Sequence, residues 1–224
     1  MRGVEDYLGQ IKRLEEDGQR CTATLIAQTL GVSLPSASEM LKRLASEGFI
    51  ERHKGGSITL TAEGRPLAHK VLRRHRVIER LLTDVLGMPW HEVHAEAHRL
   101  EHAVSARVEE HLMQSLDFPE YCPHGHPICP IDPRRMRPLD QLEEGEEAAV
   151  AQISEVKDEL LAYFDRVGLV PGSTIKLLEA SPLGGPLTLE TGAGTVSVGR
   201  EIAGFVQVCD SEEAVWTTGA RKRL

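Results

Sequence analysis

The sequence predicts an α+β protein with an N-terminal winged helix-turn-helix, a helical middle domain and a small C-terminal β-barrel. Three observations lead to this fold class. Residues 22–60 hold two short helical patterns, a glycine turn between them and a glycine-rich hairpin. Helical periodicity then continues over residues 63–118, and the C-terminal part alternates short β-type runs with Pro-Gly and Gly-Gly turns. The predicted domains are 1–64, 65–130 and 148–224, with a linker at 131–147.

Composition limits the classes of protein that this chain can belong to. Its 224 residues, 41% of them hydrophobic, are enough to bury more than one core. The chain has no run of 18 apolar residues, and its start, MRGVEDYLGQ, is charged too early for a signal peptide, so we expect a cytoplasmic protein with no membrane partner. The cysteines are scattered, which favours metal chemistry over a disulfide framework. They are Cys21, Cys122, Cys129 and Cys209.

Charge is unevenly distributed along the chain. The formal net charge is −8, yet residues 1–80 carry 14 Lys and Arg against 10 Asp and Glu, whereas residues 81–224 carry 12 against 24. A basic N-terminal third on an acidic protein is typical of a chain in which one part meets a polyanion.

Each helix of the predicted winged helix has a local signal. The segment VEDYLGQIKRLEED has apolar residues at helical spacing and stops before Gly18. Thr22 or Thr24 can cap a short second helix, Gly31 makes the turn, and Ser33 can cap a third helix. The order is helix, tight glycine turn, helix.

The wing and the third helix together predict DNA binding. The runs FIERH and SITLT meet around Lys54, Gly55 and Gly56, where the glycines permit a hairpin. A winged helix-turn-helix places its recognition helix in the major groove while the wing touches the adjacent backbone; the alternative is a winged helix used for protein contacts. Small polar residues followed by a carboxylate and two cations suit base edges and phosphates. The predicted DNA-contacting residues are Ser33, Pro35, Ser36, Ser38, Glu39, Lys42, Arg43 and Lys54.

The stretch VHAEAHRLEH predicts a metal site. His94, His98, Glu101 and His102 fall at i, i+4, i+7 and i+8, within an arc of roughly 100° on one helical face, in a helix that we expect to start at Pro89. Imidazoles and a carboxylate on one face form a ligand set. The same residues spell H-x-x-E-H, so an inverted-zincin peptidase is the enzymatic alternative.

Two further segments carry possible ligands. His75 and Glu79 form an i, i+4 pair on the preceding helical pattern, so two adjacent helices can aim ligands at each other. The loop YCPHGHPICP offers a cysteine and two histidines before Cys129; an independent structural zinc there is an alternative, although the spacing is not a common tetrahedral pattern.

The order of these parts and their motifs resemble the metal-dependent transcriptional repressors of the diphtheria toxin repressor class. The resemblance covers nearly the whole chain: VEDYL, the winged helix, RRHRVIERLLTDVLG, VHAEAHRLEH, CPHGHPI and the C-terminal barrel. It implies a homodimeric repressor of iron or manganese homeostasis, with a helical dimerisation domain, an SH3-like barrel and an inverted-repeat DNA operator. It also implies that the protein is not an enzyme.

The resemblance further implies metal ligands at particular positions. Asp6 matches an N-terminal ligand that is Met in typical iron-responsive members and Asp in manganese-responsive ones. His98 departs from the family, where iron-type members have Cys and small manganese members have Glu. The ligand sets implied are Asp6, His98, Glu101 and His102; an ancillary set of His75, Glu79 and His94; and Cys122 and His124 from the loop with a barrel carboxylate, Asp158 or else Glu159.

The chemistry of these ligands favours a particular metal. Aspartate, glutamate and histidine without a thiolate on the central helix suit Mn²⁺, with Fe²⁺ as the alternative. Zn²⁺, Co²⁺, Ni²⁺ or Cd²⁺ can substitute in vitro, and by intrinsic affinity Co²⁺, Ni²⁺ and Zn²⁺ bind at least as tightly as Mn²⁺. A further alternative is a metal storage or delivery module whose DNA-binding fold is vestigial.

Overall fold

A computed structural model describes residues 2–129, 135–154 and 158–210, without the side chains of Arg2 and Asp158. Two compact units divide the chain at His75 and Arg76. Among the described residues, no helix is both long enough and apolar enough to cross a membrane.

The first unit is the predicted winged helix. The Thr22 hydroxyl accepts from the backbone N–H of Leu25 at 3.2 Å and so caps the second helix. Gly31 makes the turn with φ +64°, a value that a residue with a Cβ adopts at a cost. Ser33 then caps the third helix by accepting from the N–H of Ser36. The helices and antiparallel strands are α1 (Arg2–Glu16), α2 (Ala23–Thr29), α3 (Leu34–Ser46), β1 (Ile50–Arg52) and β2 (Ile58–Leu60).

Burial within this unit follows the predicted periodicity. The inner faces of α1, α2 and α3 and both strands form one mainly aliphatic core, which leaves the outer face of α3 in solvent. Leu8, Ile11, Ile26, Leu41 and Leu44 lie at its centre, each almost fully buried.

Helical segments follow the winged helix, but their boundaries correct the prediction. α4 (Gly64–Arg80) starts in the first unit and leads into a π-helical turn at Leu81–Val85. Helix α5 runs only over Val93–Leu100, and α6 (Ala106–Ser115) follows as a separate helix. A start at Pro89 was therefore wrong.

The break between α5 and α6 has a local cause. Ser105 caps α6 by accepting from the N–H of Val108, and this requires the extended backbone of Ser105, φ −76° and ψ 159°. A continuous helix is incompatible with that conformation. Glu101 keeps helical dihedrals at the end of α5, but His102 lies in the turn that follows.

Within its described residues, the C-terminal part consists of β3 (Arg137–Pro138), β4 (Glu147–Ile153), α7 (Asp158–Arg166), β5 (Thr174–Ala180), β6 (Leu187–Thr191), β7 (Gly194–Val198), α8 (Arg200–Ala203) and β8 (Val206–Cys209). The six strands form an antiparallel sheet in the order β3-β8-β4-β5-β6-β7. Its core is aliphatic apart from Phe164, which projects from the inserted helix. Register shifts interrupt the pairing of β4 with β8 and of β5 with β6.

Part of the segment predicted as a linker belongs to this sheet. Arg137 and Pro138 pair with β8, and a 3-10 turn follows at Leu139–Gln141. Leu139 and Leu142 are buried in the sheet's core. Proline and charged residues suggested a loop by composition, but edge strands accept proline because its missing N–H can face away from the sheet.

Candidate metal centre and nucleic-acid interface

The first cluster consists of His98, Glu101 and His102. Its potential ligand atoms lie within 4.8 Å of one another. Nδ1 of His98 is 2.8 Å from Oε1 of Glu101, and Nε2 of His102 is 3.4 Å from the same oxygen. Glu101 is 2% exposed, whereas the His98 side chain is 45% exposed. A buried carboxylate flanked by two imidazoles, open on the His98 side, can accept a divalent cation.

The second cluster consists of Glu79, His94, Cys122 and His124. Oε1 of Glu79 lies 3.3 Å from Nδ1 of His94 and 3.2 Å from Nδ1 of His124. The ligand atoms of Glu79, Cys122 and His124 lie within 4.8 Å of one another, and all three residues are buried. Glu79 therefore lies beside both His94 and the loop residues Cys122 and His124.

The pKa of His124 indicates that the second cluster stabilises a positive charge. Burial by itself lowers the pKa of this imidazole, but the neighbouring Glu79 carboxylate and the Cys122 thiol outweigh that effect, so the pKa lies well above its ordinary value. A positive charge is therefore stabilised at this buried position. The nitrogen, oxygen and sulfur donors present fit a borderline divalent cation in the place of that proton.

The zinc-knuckle alternative for the loop does not match the geometry. Nε2 of His126 donates to the carbonyl of Ile153 at 3.1 Å, which assigns this ring to a structural hydrogen bond. Cys129 packs against a small apolar cluster that includes Val77 and Met113. Within the described parts of the chain, neither residue belongs to a group of three potential metal ligands.

The candidate nucleic-acid interface is the outer face of α3 with the wing. Ser36, Glu39 and Lys42 are exposed, while Ala37 and Leu41 on the opposite face are buried. Ser38 is partly buried, and Arg43 is paired with Glu47 at 2.8 Å, so a phosphate contact by Arg43 would compete with that ion pair. The remaining predicted contact residues are all exposed; they are Ser33, Pro35 and Lys54.

The wing has a basic neighbour that sequence reasoning missed. The guanidinium of Arg20 donates to the carbonyl of Gly55 at 2.5 Å, which ties the loop before α2 to the wing. The signal available in the sequence was only its charge, because the approach of residues 20 and 55 depends on tertiary folding.

Three domain descriptions match the chain. They are "Iron dependent repressor, N-terminal DNA binding domain" over residues 1–57, "Iron dependent repressor, metal binding and dimerisation domain" over 61–130 and "FeoA domain" over 137–209.

Relatives match over nearly the whole length. The "Iron-dependent repressor IdeR" of Mycobacterium leprae is 35% identical over 92% of this chain and 96% of its own. The "Diphtheria toxin repressor" of Corynebacterium jeikeium is 32% identical over 78% of this chain and 84% of its own. A solved "Manganese-dependent transcriptional repressor complex with manganese" superposes with a TM-score of 0.85 at 33% identity, covering 92% of this chain and 99% of that one.

The chain belongs to the diphtheria toxin repressor family of metal-dependent repressors. Membership confirms the predicted three-part fold with an SH3-like C-terminal domain, and it supports DNA and a second copy of the chain as partners of this repressor. The relatives are repressors, and the H-x-x-E-H signature of the peptidase alternative is split here by the end of α5.

Asp6, His75 and Asp158 are three more of the ligands that the resemblance implies. Asp6 lies partly buried in α1 of the first unit, and His75 is buried one turn before Glu79 on α4. The side chain of Asp158 lies outside the described part of the repressor, although its backbone opens α7; the alternative, Glu159, is exposed. The assignment of these residues as ligands stays a prediction.

Neither Trp90, which contacts His124, nor Arg76, which donates to the loop carrying Cys122 and His124, was predicted. The Trp90 ring meets His124 edge-on with centroids 5.6 Å apart, and its Nε1 donates to Asp165 of α7 at 2.6 Å. Arg76 is almost fully buried. The sequence did contain a sign of the burial of Arg76, since this residue continues the row of buried residues Ala68 and Leu72 at i+4 spacing. A charge in such a row needs a partner, because burying it unpaired is costly.

Proposed function

We propose that this chain is a Mn²⁺-activated, homodimeric repressor that binds an inverted-repeat operator, with Fe²⁺ as the alternative activating metal. The observation that carries the proposal is the pair of clusters in the domain that follows the winged helix. Each places at least three potential ligand atoms within 4.8 Å of one another. Family membership supports metal-dependent repression in general, and the donor chemistry supports the choice of metal.

Manganese is favoured by the ligands of the first cluster. The residues on and after α5 offer one carboxylate and two imidazoles without a thiolate. We assign Asp6 as the further ligand on the basis of the family resemblance, which would add a second hard anionic oxygen. Mn²⁺ lies at the bottom of the affinity series and gains most from charged oxygen donors. The neighbouring manganese-dependent repressor supports the same choice, while the IdeR relative supports Fe²⁺.

We assign the second cluster as an ancillary metal site. Glu79, His94, Cys122 and His124 would hold the cation, with His75 and the Asp158 carboxylate as the further ligands that the resemblance implies. The buried carboxylate and the raised pKa of His124 support a cation at this position.

The activating effect requires that metal binds more tightly to the DNA-competent arrangement of the repressor than to others. Moving an equilibrium from 1:99 to 99:1 takes about 5.5 kcal/mol of differential binding. Two metals in each of two subunits can supply that amount in modest steps. The repressor's own residues contribute by holding the donors close together before metal arrives.

The test is metal-dependent DNA binding with the full chain. DNA selected from a random pool in buffered Mn²⁺ is footprinted, and its affinity is measured by fluorescence anisotropy in Mn²⁺, in anaerobic Fe²⁺ and in chelator. We expect a two-fold footprint with half-sites about one helical turn apart or a multiple of that. Equal binding in chelator, or an asymmetric monomeric footprint, contradicts the proposal. A lower half-maximal concentration for Fe²⁺ than for Mn²⁺ selects the alternative metal.

A further inference from the structure

The hairpin over residues 120–128 carries two of the four side chains of the second cluster. Its arms are joined by a bridge between Tyr121 and Pro127 and by the bond from the N–H of Cys122 to the carbonyl of His126 at 2.9 Å. Cys122 follows the bridge directly, and His124 lies in the turn that joins the two arms. Because the hairpin is short, the position of its base decides where both potential ligands point.

Two arginines of α4 hold that base. Nη1 of Arg76 donates to the carbonyl of Pro127 at 2.7 Å, and Nε of Arg80 donates to the carbonyl of Tyr121 at 2.6 Å. Each arm of the hairpin therefore accepts a hydrogen bond from one arginine. Charged donors make hydrogen bonds about twice as strong as neutral ones, so this attachment is firm.

Glu79 lies between the two arginines on the same helix. Four residues of α-helix span about 6 Å, so both guanidiniums and the carboxylate project from adjacent turns of α4. The helix that supplies one ligand of the second cluster thus also fixes the segment that supplies two others. These two hydrogen bonds restrict how far the hairpin can move away from Glu79.

The sheet holds the opposite side of the hairpin. The N–H of Ile153 donates to the carbonyl of His124 at 3.0 Å, and Nε2 of His126 returns a bond to the carbonyl of Ile153. At Gly125, with φ +88°, a Cβ would lie 2.1 Å from the carbonyl oxygen of Ala151, so only glycine lets the turn approach β4 this closely. The hairpin is thereby fixed between α4 and β4.

We infer that Arg80, together with Arg76, is a positioning residue for the second metal centre, because it clamps the hairpin so that Cys122 and His124 face Glu79. The inference rests on the proposed function, in which these side chains bind metal. Partners that orient metal ligands typically change affinity by about 10–100-fold when they are removed. Loss of the clamp should therefore weaken the second centre and spare the first cluster.

The experiment titrates the metal-free full-length protein with Co²⁺. A Co²⁺ ion bound by the Cys122 thiolate gives a sulfur-to-metal charge-transfer absorption in the near ultraviolet, which a first cluster of oxygen and nitrogen donors does not produce. We compare Arg80→Gln and Arg80→Lys with the wild type, using Cys122→Ser to assign the band. Arg166→Gln is the matched control, since it removes an exposed arginine whose guanidinium lies over the Tyr163 ring instead.

We expect both Arg80 variants to raise the Co²⁺ concentration at half-maximal charge transfer by about tenfold or more. The d–d absorption of the first cluster should titrate unchanged, and Arg166→Gln should behave as the wild type. Lysine keeps the positive charge of Arg80 but not its Nε donor. Weaker Co²⁺ binding by Arg80→Lys would therefore show that the hydrogen bond, and not the charge, matters. Wild-type affinity in both Arg80 variants overturns the inference.

Two further outcomes, misfolding of Arg80→Gln and absence of the charge-transfer band in the wild type, can be distinguished from the expected result. If Arg80→Gln does not fold, as judged by circular dichroism, Arg80→Lys decides the question, because it keeps the charge and most of the volume. If the wild type itself shows no charge-transfer band, Cys122 is not a ligand and the inference that the clamp places Cys122 on the metal is overturned; metal-dependent operator binding in the same preparation then tests the proposed repressor function independently.

Discussion

Oε1 of Glu79 lies 3.2 Å from Nδ1 of His124, and both side chains are excluded from solvent. A buried carboxylate next to an imidazole whose pKa is raised holds one positive charge without access to water. Breaking such a buried pair by removing one partner typically costs about 3–5 kcal/mol, because the other charge stays buried and uncompensated.

Glu79→Gln should therefore abolish the second metal centre. Glutamine keeps the size of the side chain but removes the charge that draws a cation to His94 and His124. Isothermal titration with Mn²⁺ should lose one binding step, and the step assigned to the first cluster should remain. Glu110→Gln, at an exposed position of α6, is the control. An unchanged two-step isotherm for Glu79→Gln would contradict the assignment.

Glu39 and Lys42 should differ in what they contribute to DNA binding. Both are exposed on α3, and a carboxylate can accept from a cytosine amino group, whereas lysine suits phosphate. Glu39→Ala should relax the sequence preference found by selection. Lys42→Ala should weaken all sequences alike and lower the slope of log K against log salt by about one. If Glu39→Ala selects the same operator with the same stringency, bases are read elsewhere.

Asp6→Met should change the metal preference of the repressor rather than only its affinity. The change replaces a hard anionic oxygen with a soft neutral thioether, which weakens Mn²⁺ more than the later metals. Operator-binding anisotropy should show a steep rise in the half-maximal Mn²⁺ concentration and a smaller one for Fe²⁺, Co²⁺ or Ni²⁺. A uniform loss across all metals would instead indicate that Asp6 acts as a helix-terminal or surface charge, worth about 1 kcal/mol. Unchanged activation would remove Asp6 from the ligand set.

The ion pair of Arg137 and Glu146 should add a small, pH-dependent stability to the C-terminal sheet. The hydrogen bond from Arg137, and then the backbone N–H of Glu143, lower the pKa of Glu146. A lowered folded-state pKa means that the stabilisation is present above the unfolded value, about 4.3, and is lost as the pH falls through the folded value.

Because both side chains are about a third exposed, the pair should contribute less than about 1 kcal/mol. Glu146→Gln should lower the melting temperature at pH 7 by at most about 4 °C, and the difference from the wild type should vanish in strong acid. Glu190→Gln, an exposed carboxylate change on β6, provides the comparison at each pH. A difference that grows as the pH falls would contradict the assigned sign.

Much of the fold could be predicted because its signals are local. The caps at Thr22 and Ser33, the turn at Gly31 and the hairpin at Lys54 to Gly56 each depend on hydrogen bonds or dihedral angles within a few residues. The β-type runs of the C-terminal sheet were recognised for the same reason. The misplaced start at Pro89 and the missed break at Ser105 arose because helical periodicity continues across a cap that competes with it.

The kinds of potential ligand were also determined by the sequence itself. Histidines, glutamates and a cysteine at helical or loop spacings identify the chemistry of a borderline cation wherever the chain places them, and i, i+4 spacing puts His94 and His98 on one face of α5. The sequence alone likewise determined which face of α3 stays polar.

Only the tertiary structure decided how these ligands are shared and supported. Three sets of contacts join segments far apart in sequence. Glu79 lies beside both His94 and His124, Arg76 and Arg80 donate hydrogen bonds to the hairpin, and Gly125 packs against β4. Such contacts leave little periodic trace, because a buried charge in a helical row looks the same whether its partner is a neighbouring helix, a carbonyl or solvent. The role of such a buried charge depends on the groups that pack against it, and that packing is a property of the whole folded chain.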